Sequence, residues 1–268
     1  MNRICLTTIG IFLFFFVFLS GCNDKEKNIN ANVNHTFEMT EIDWVELSDK
    51  RIFFGHQSVG FNIMDGITAI KNQSSINSFV VLETRDVSGF RDPLFAHSRI
   101  GKNTDPKSKI TDFVNILKNG LGASVDIAFM KLCYIDVNRR TNINELFELY
   151  KTSLDSLETA FPDMKILHCT VPLTIKSKGI KGLAKIILGR DDNVYRNKYN
   201  KLIRHHYGPN EIIDIAEIEA TNTDGSCNTY GCGIPGLIPG YSSDGRHLNQ
   251  QGSLLVAYEL LSKLMKNL

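Results

Sequence analysis

The sequence predicts an α/β fold with a doubly wound, mostly parallel sheet. Strand-like and helix-like stretches alternate along it, the strand-like runs are continuously apolar, and turn residues punctuate them. Strands joined through helices run parallel, and strands with no polar alternation are covered on both faces. The expectation is a three-layer α/β/α sandwich around a central, mostly parallel five-stranded sheet.

The elements follow in order. Arg51-Ile-Phe-Phe54 is a short β-branched and aromatic run that stops at Gly55, after which Val59, Ile63, Gly66 and Ile67 recur at helical spacing. That pattern reads as strand, tight turn, helix, with Ser58 in the turn. Ser78 to Leu82 is a second strand, and Phe95 to Pro106 reads as a long polar loop containing His97, Arg99 and Asn103. Asp105-Pro106 then opens a helix to Leu117, with an N-cap residue and a proline in the first turn. Val125 to Cys133 is the third strand, Asn142 to Ala160 a helix, Met164 to Val171 the fourth strand and Asn193 to His206 a helix. Glu211 to Ile215 is the fifth strand, and an apolar helix closes the chain from Gln250 to Lys266.

The amino end is different in kind. Arg3 precedes the apolar run Ile11 to Leu19, which is short for a membrane span and has the flanks of a signal peptide. The run ends Leu19-Ser20-Gly21-Cys22, which resembles the bacterial lipoprotein signal, in which Cys22 is lipidated and becomes the mature amino terminus. Three segments are therefore expected: 1–21 a signal peptide, 22–41 a polar, flexible tether, and 42–268 the folded domain, held outside the cytoplasm on a bacterial membrane. About 225 residues suffice for one α/β domain with a full core. With 30 basic against 29 acidic residues, the overall balance suggests neither nucleic acid nor an anionic surface as partner.

Cysteine usage fits this organisation. Cys227 and Cys232 bracket a short Gly-containing loop where an oxidising compartment would permit a local disulfide, and Cys133 and Cys169, ending strand-like runs, read as buried free thiols. No pair has zinc-ligand spacing with histidines nearby.

Ser58 stands where an open α/β sheet presents ligand-facing groups, at the carboxyl end of a first strand beside a helix amino terminus with unpaired N–H groups. A serine hydroxyl attacks well only when a base takes its proton. Ser243-Asp-Gly-Arg-His-Leu-Asn249 supplies one, with Asp244 three residues before His247 in a single loop.

A serine after strand one and an Asp-x-x-His just before the last helix, with strands and helices alternating between them, resemble the SGNH (GDSL-type) hydrolases. The closing stretch DGRHLNQQGSLLVAYELL is similar to that family's last block, and the resemblance runs from about Lys50 to Leu268. It implies a flavodoxin-like sheet, a catalytic Ser58-His247-Asp244 triad, an acyl-enzyme and no cofactor or metal. It also implies an oxyanion donor at Gly89, where the family places a second-block glycine. The chain departs from the family twice. The usual Gly-Asp-Ser becomes Gly55-His-Gln-Ser58, and the third-block Gly-x-Asn-Asp becomes Lys131-Leu-Cys-Tyr-Ile-Asp136. Tyr134, Lys131 and Asn103 are the candidates to replace the missing asparagine amide as oxyanion donor. His56, His97 and Lys131 are candidate substrate contacts. The expected reaction is hydrolysis of an O-acyl or acetyl ester on a carbohydrate, with acyl transfer to a sugar hydroxyl and non-catalytic glycan binding as alternatives.

Overall fold

The computed structural model describes residues 42–74, 76–177, 179–231 and 233–268, all within one unit of the chain, His35–Leu268. The expected signal peptide, lipidation point and tether lie outside these residues. No helix among the described residues is long and apolar enough to cross a membrane.

The elements run α1 (Trp44–Ser48), β1 (Arg51–His56), α2 (Val59–Gln73), β2 (Val81–Glu83), β3 (Leu94–Arg99), α3 (Pro106–Lys118), β4 (Ile127–Met130) and α4 (Ile143–Ala160). They continue β5 (Lys165–Cys169), α5 (Gly179–Ile187), α6 (Asp192–His206), β6 (Ile212–Ile213), α7 (Ile215–Ala220), β7 (Thr229–Tyr230), β8 (Ile234–Pro235) and α8 (Gln250–Met265). β1 to β6 form one parallel sheet in the order β2-β3-β1-β4-β5-β6, and β7 and β8 form a small antiparallel hairpin.

The sheet has six strands, one more than expected. The addition is β3, which occupies the first half of the stretch read as a polar loop. His97 and Ser98 made Leu94–Arg99 look solvated, yet both are buried because β3 pairs with β2 on one side and β1 on the other. Tertiary pairing has overridden local polarity.

Alternate residues divide between two cores. Phe54, Phe95, Phe129 and Leu167 face the layer of α2 and α8, while Phe53, Ala96, Met130 and Ile166 face α3, α4 and α6. Phe54 stacks on Phe129 at 4.6 Å between ring centroids, at the centre of the first core. α2 and α8 pack so closely that a Cβ on Gly66 would lie 2.3 Å from the Ser253 carbonyl oxygen. This contact ties the helix after β1 to the helix after the Asp244–His247 loop.

Helix starts follow the expected chemistry. Asp105 caps α3 through Ser108 N–H with Pro106 at the first position, Asn142 caps α4 through Glu145 N–H, and Asn249 caps α8 through Gly252 N–H. Cys133 and Cys169 are buried free thiols, as expected. The bridge from Cys227 is not formed; Cys227 is an exposed free thiol, and Cys232 lies outside the described residues.

Candidate active site

Ser58 sits between the carboxyl end of β1 and the first turn of α2, with φ 54° and ψ −116°. A non-glycine residue held there is strained by about 1–3 kcal/mol, and such strain persists only where surrounding structure imposes it. His56 and Gly60 show what imposes it. The His56 ring is fully buried against Gly60, where an added Cβ would come within 2.4 Å of it. The Gln57 side chain donates to the Ile100 and Gly101 carbonyls at 2.7 and 2.6 Å, tying the turn to the end of β3.

Ser58 Oγ lies 2.8 Å from His247 Nε2, and His247 Nδ1 lies 2.7 Å from Asp244 Oδ2. The His247 imidazole, with the His247 and Arg246 backbone N–H groups, holds the Asp244 carboxyl far below the usual carboxylate range. An ionised Asp244 only accepts, so Nδ1 carries the proton, and Nε2 is left to accept from the Ser58 hydroxyl. Gly245, at φ 82°, turns the loop, and Ser242 Oγ braces it by donating to the His247 carbonyl and accepting from Gly245 N–H. Tyr134 packs edge-on against the His247 ring at 5.7 Å.

The Ser58 N–H has no acceptor among the described residues and stands at a helix amino terminus, where it can meet a developing oxyanion. Its peptide is also polarised from behind. Lys131 Nζ donates to Cys133 Sγ at 3.6 Å, and Cys133 Sγ donates to the Gln57 carbonyl at 3.4 Å. That carbonyl belongs to the peptide whose N–H is Ser58's. A cation thus leans, through a thiol, on the donor the oxyanion would use.

Several expectations need correction. Gly89 lies in a 3-10 turn with its N–H already bonded to the Asp86 carbonyl at 3.0 Å, and neighbouring Val87 faces Gly120, which precedes the amino end of β4. The turn faces the wrong end of the sheet for an oxyanion donor. Lys131 is 0% exposed, so it stands beneath the site and not on a surface that meets substrate. His56 is equally enclosed; it pairs with His97 at 3.0 Å between Nε2 and Nδ1, and burial, with Lys131 nearby, pushes its pKa down to about 2. His97 is also buried, and its pKa is lowered by the same loss of water. These two histidines form a neutral internal brace. Asn103 follows β3, accepts from Lys109 Nζ at 2.9 Å, and keeps its NH2 without an acceptor among the described residues. Tyr134 lines the cavity beside the site.

Other residues steady the site, and of these Arg196, Lys109 and Asn62 escaped sequence reading. Arg196 on α6 donates to the Tyr134 carbonyl at 2.8 Å and fixes the loop after β4. Asp136 accepts from Cys133 N–H and from the fully buried Lys109, setting the thiol's position. Asn62, one helical turn beyond Ser58, has a buried side-chain oxygen with no partner. Its only sequence signal is polarity within an apolar helix.

A groove of about 1140 Å³ runs beside Asp244, walled by Tyr134, Arg139, Arg190, Arg196 and Arg246 among others. Its lining is mostly charged and polar, is drawn from the segments that follow β3, β4 and β5 and from the Asp244 loop, and does not include Ser58 or His247. No cluster of three or more His, Cys, Asp or Glu side chains able to hold a metal occurs among the described residues.

No family model matches the sequence, and no curated protein does. Solved structures are similar at low identity. One is a protein assigned to the G-D-S-L lipolytic family from Desulfitobacterium hafniense DCB-2, with 8% identity and TM-score 0.46 over 80% of this chain and 99% of that one. A carbohydrate esterase family 3 structure from Talaromyces cellulolyticus shows 15% identity and TM-score 0.41 over 81% and 96% of the two chains. The periplasmic domain of a Salmonella ser. Paratyphi A lipopolysaccharide acetyltransferase shows 15% identity and TM-score 0.47 over 81% and 84%. Several of the similar chains carry an SGNH or GDSL description. The likeness is one of chain path, and no reaction is drawn from it.

Proposed function

We propose that this chain is an SGNH-type serine esterase that removes an O-acyl group, most simply acetyl, from a carbohydrate. The observation that carries the reading is the continuous chain from Ser58 Oγ to His247 Nε2 and from His247 Nδ1 to Asp244, ending on a serine held in a strained turn. His247 takes the Ser58 proton as Oγ attacks the ester carbonyl carbon, and Asp244 holds the resulting imidazolium. The Ser58 N–H meets the oxyanion, with Asn103 and Tyr134 as the nearby side chains still free to donate. Collapse of the tetrahedral intermediate expels the sugar hydroxyl, which takes its proton from His247. Water, deprotonated by the same imidazole, then releases the acid and restores Ser58.

A carbohydrate fits the groove better than a long acyl chain would, because charged and hydrogen-bonding side chains far outnumber apolar ones in its walls. Lipidation at Cys22 would place this activity on a membrane outside the cytoplasm. Transfer to a sugar hydroxyl uses the same acyl-enzyme, with an acceptor in place of water.

Hydrolysis of p-nitrophenyl acetate by the wild type, Ser58→Ala and His247→Ala tests the reading, followed by acetate release from an acetylated oligosaccharide. Esterase activity predicts turnover lost by orders of magnitude in both variants. Release only on adding an acceptor sugar would favour transfer. An inactive wild type that still binds glycan, equally well in Ser58→Ala, would overturn catalysis altogether.

A further inference from the structure

The segment from Ile175 to Arg190, IKSKGIKGLAKIILGR, supplies none of the reacting groups above, although Arg190 walls the groove. It carries five basic residues, Lys176, Lys178, Lys181, Lys185 and Arg190, and no acidic one, although the whole chain is nearly neutral. α5 lies within it. Ile180 is 87% exposed, Ile187 75% and Leu188 61%, three of the four most exposed large apolar side chains among the described residues. Ile180 and Ile187 are seven positions apart and so share a helix face. Ile186 turns the other way, toward Gly231 of the hairpin region. The outward apolar face is therefore left over after the helix has packed.

We infer that the outward face of α5 seats on an anionic lipid bilayer. Charge complementarity selects this occupant: along the segment the five cations alternate with isoleucine and leucine, and no carboxylate falls between Ile175 and Arg190, which suits acyl chains below and anionic headgroups around. A protein partner is disfavoured by the same composition, because lysine is depleted in protein interfaces and aromatic anchors, which dominate them, are absent here. The backbone allows the helix to settle. Gly179 and Gly189 bracket it with φ of 64° and 61°, and nothing lies within 4 Å of where a Gly179 side chain would begin. Lys185 and Arg190 also wall the groove beside Asp244. Seating α5 would bring that groove to the headgroup level, where a membrane-proximal polymer would lie.

The amino-terminal apolar run can itself reach a bilayer, so total binding says nothing about α5, and a local reporter is required. The chain has a single tryptophan, Trp44, which is buried. Full-length Ile187→Trp protein is mixed with vesicles of brominated phosphatidylcholine, alone or with phosphatidylglycerol. The added indole should blue-shift and be quenched in the mixed vesicles at roughly tenfold lower lipid than in phosphatidylcholine alone. Adding Lys176→Glu, Lys185→Glu and Arg190→Glu to Ile187→Trp should abolish that preference while far-UV circular dichroism stays unchanged. Vesicle-bound protein whose added indole stays water-like would overturn the proposal. So would equal quenching in both lipids, an equal shift with soluble dextran sulfate, or a concentration-dependent shift without vesicles, which would indicate a second copy of the chain.

Discussion

Ser58 Oγ meets His247 Nε2 at 2.8 Å across 189 positions of sequence, and the packing of α2 on α8 sets that distance. Ser58 immediately precedes α2, and His247 stands shortly before α8. At Gly66 the two helices are in such close contact that an added Cβ would lie 2.3 Å from the Ser253 carbonyl oxygen. Gly66→Ala has nowhere to place its methyl group and should cost about 2 kcal/mol of stability. Because the helices must separate, kcat should fall more than KM rises. Urea unfolding and ester kinetics on one preparation check both effects.

The strained turn makes a second prediction. Ser58→Gly and Ser58→Ala both remove the nucleophile, but only glycine takes φ 54° without steric cost. Both variants should be inactive, with Ser58→Gly more stable than Ser58→Ala by about 1 kcal/mol in urea titrations. Equal stability would mean that the backbone relaxes once the hydroxyl is gone.

Asp244 accepts from the imidazole and from two backbone N–H groups. Asp244→Asn keeps the shape but can donate toward Nδ1, which favours the tautomer with the proton on Nε2. That tautomer cannot take a proton from Ser58. kcat should drop by roughly 10³–10⁴ with KM little changed. Comparing the p-nitrophenyl acetate constants of the two proteins decides it.

The site was legible in sequence where its chemistry is local. Asp244 and His247 share one loop, and the run of Arg51 to Phe54 followed by helical spacing placed Ser58 in a turn, so short-range pattern sufficed for all three. β3 was hidden because His97 and Ser98 are polar yet buried, and only the pairing of His97 with His56 on the adjacent strand accounts for them. Gly89 was misplaced for the same reason. With β3 overlooked, the loop after β2 was taken for the one beside β1, a position that Ile100 to Asp105 occupies instead. α5 escaped because a whole-chain charge count averages away a basic segment.

Behind the Ser58 peptide stand Cys133 and Lys131. If Cys133 holds the Gln57 carbonyl, Cys133→Ser keeps a donor and Cys133→Ala removes it. The alanine variant should lose roughly tenfold in kcat, less than the loss of a direct oxyanion donor, while the serine variant retains most activity. KM should be unchanged in both. A parallel fall in the two variants would place the thiol's role in packing instead.

Glu219 on α7 is the remaining buried acid. Its Oε2 accepts from Leu173 N–H and its Oε1 has no partner. Burial pushes its pKa up to about 8, against the Leu173 hydrogen bond and the charges of Lys131 and Arg196, which favour the ionised form. The folded protein therefore keeps Glu219 protonated at a pH where the unfolded chain, with its carboxyl near 4.5, has released the proton. The unfolded state binds fewer protons across that window, so stability falls as pH rises through it, then levels once the folded form ionises as well. Between pH 5 and 8.5 the wild type should lose on the order of 3 kcal/mol from this group. Glu219→Gln has no proton to lose there and should flatten this part of the curve. Urea midpoints of the two proteins at three pH values settle the matter, since a wild type as flat as the variant would mean that Glu219 is already ionised beside Lys131.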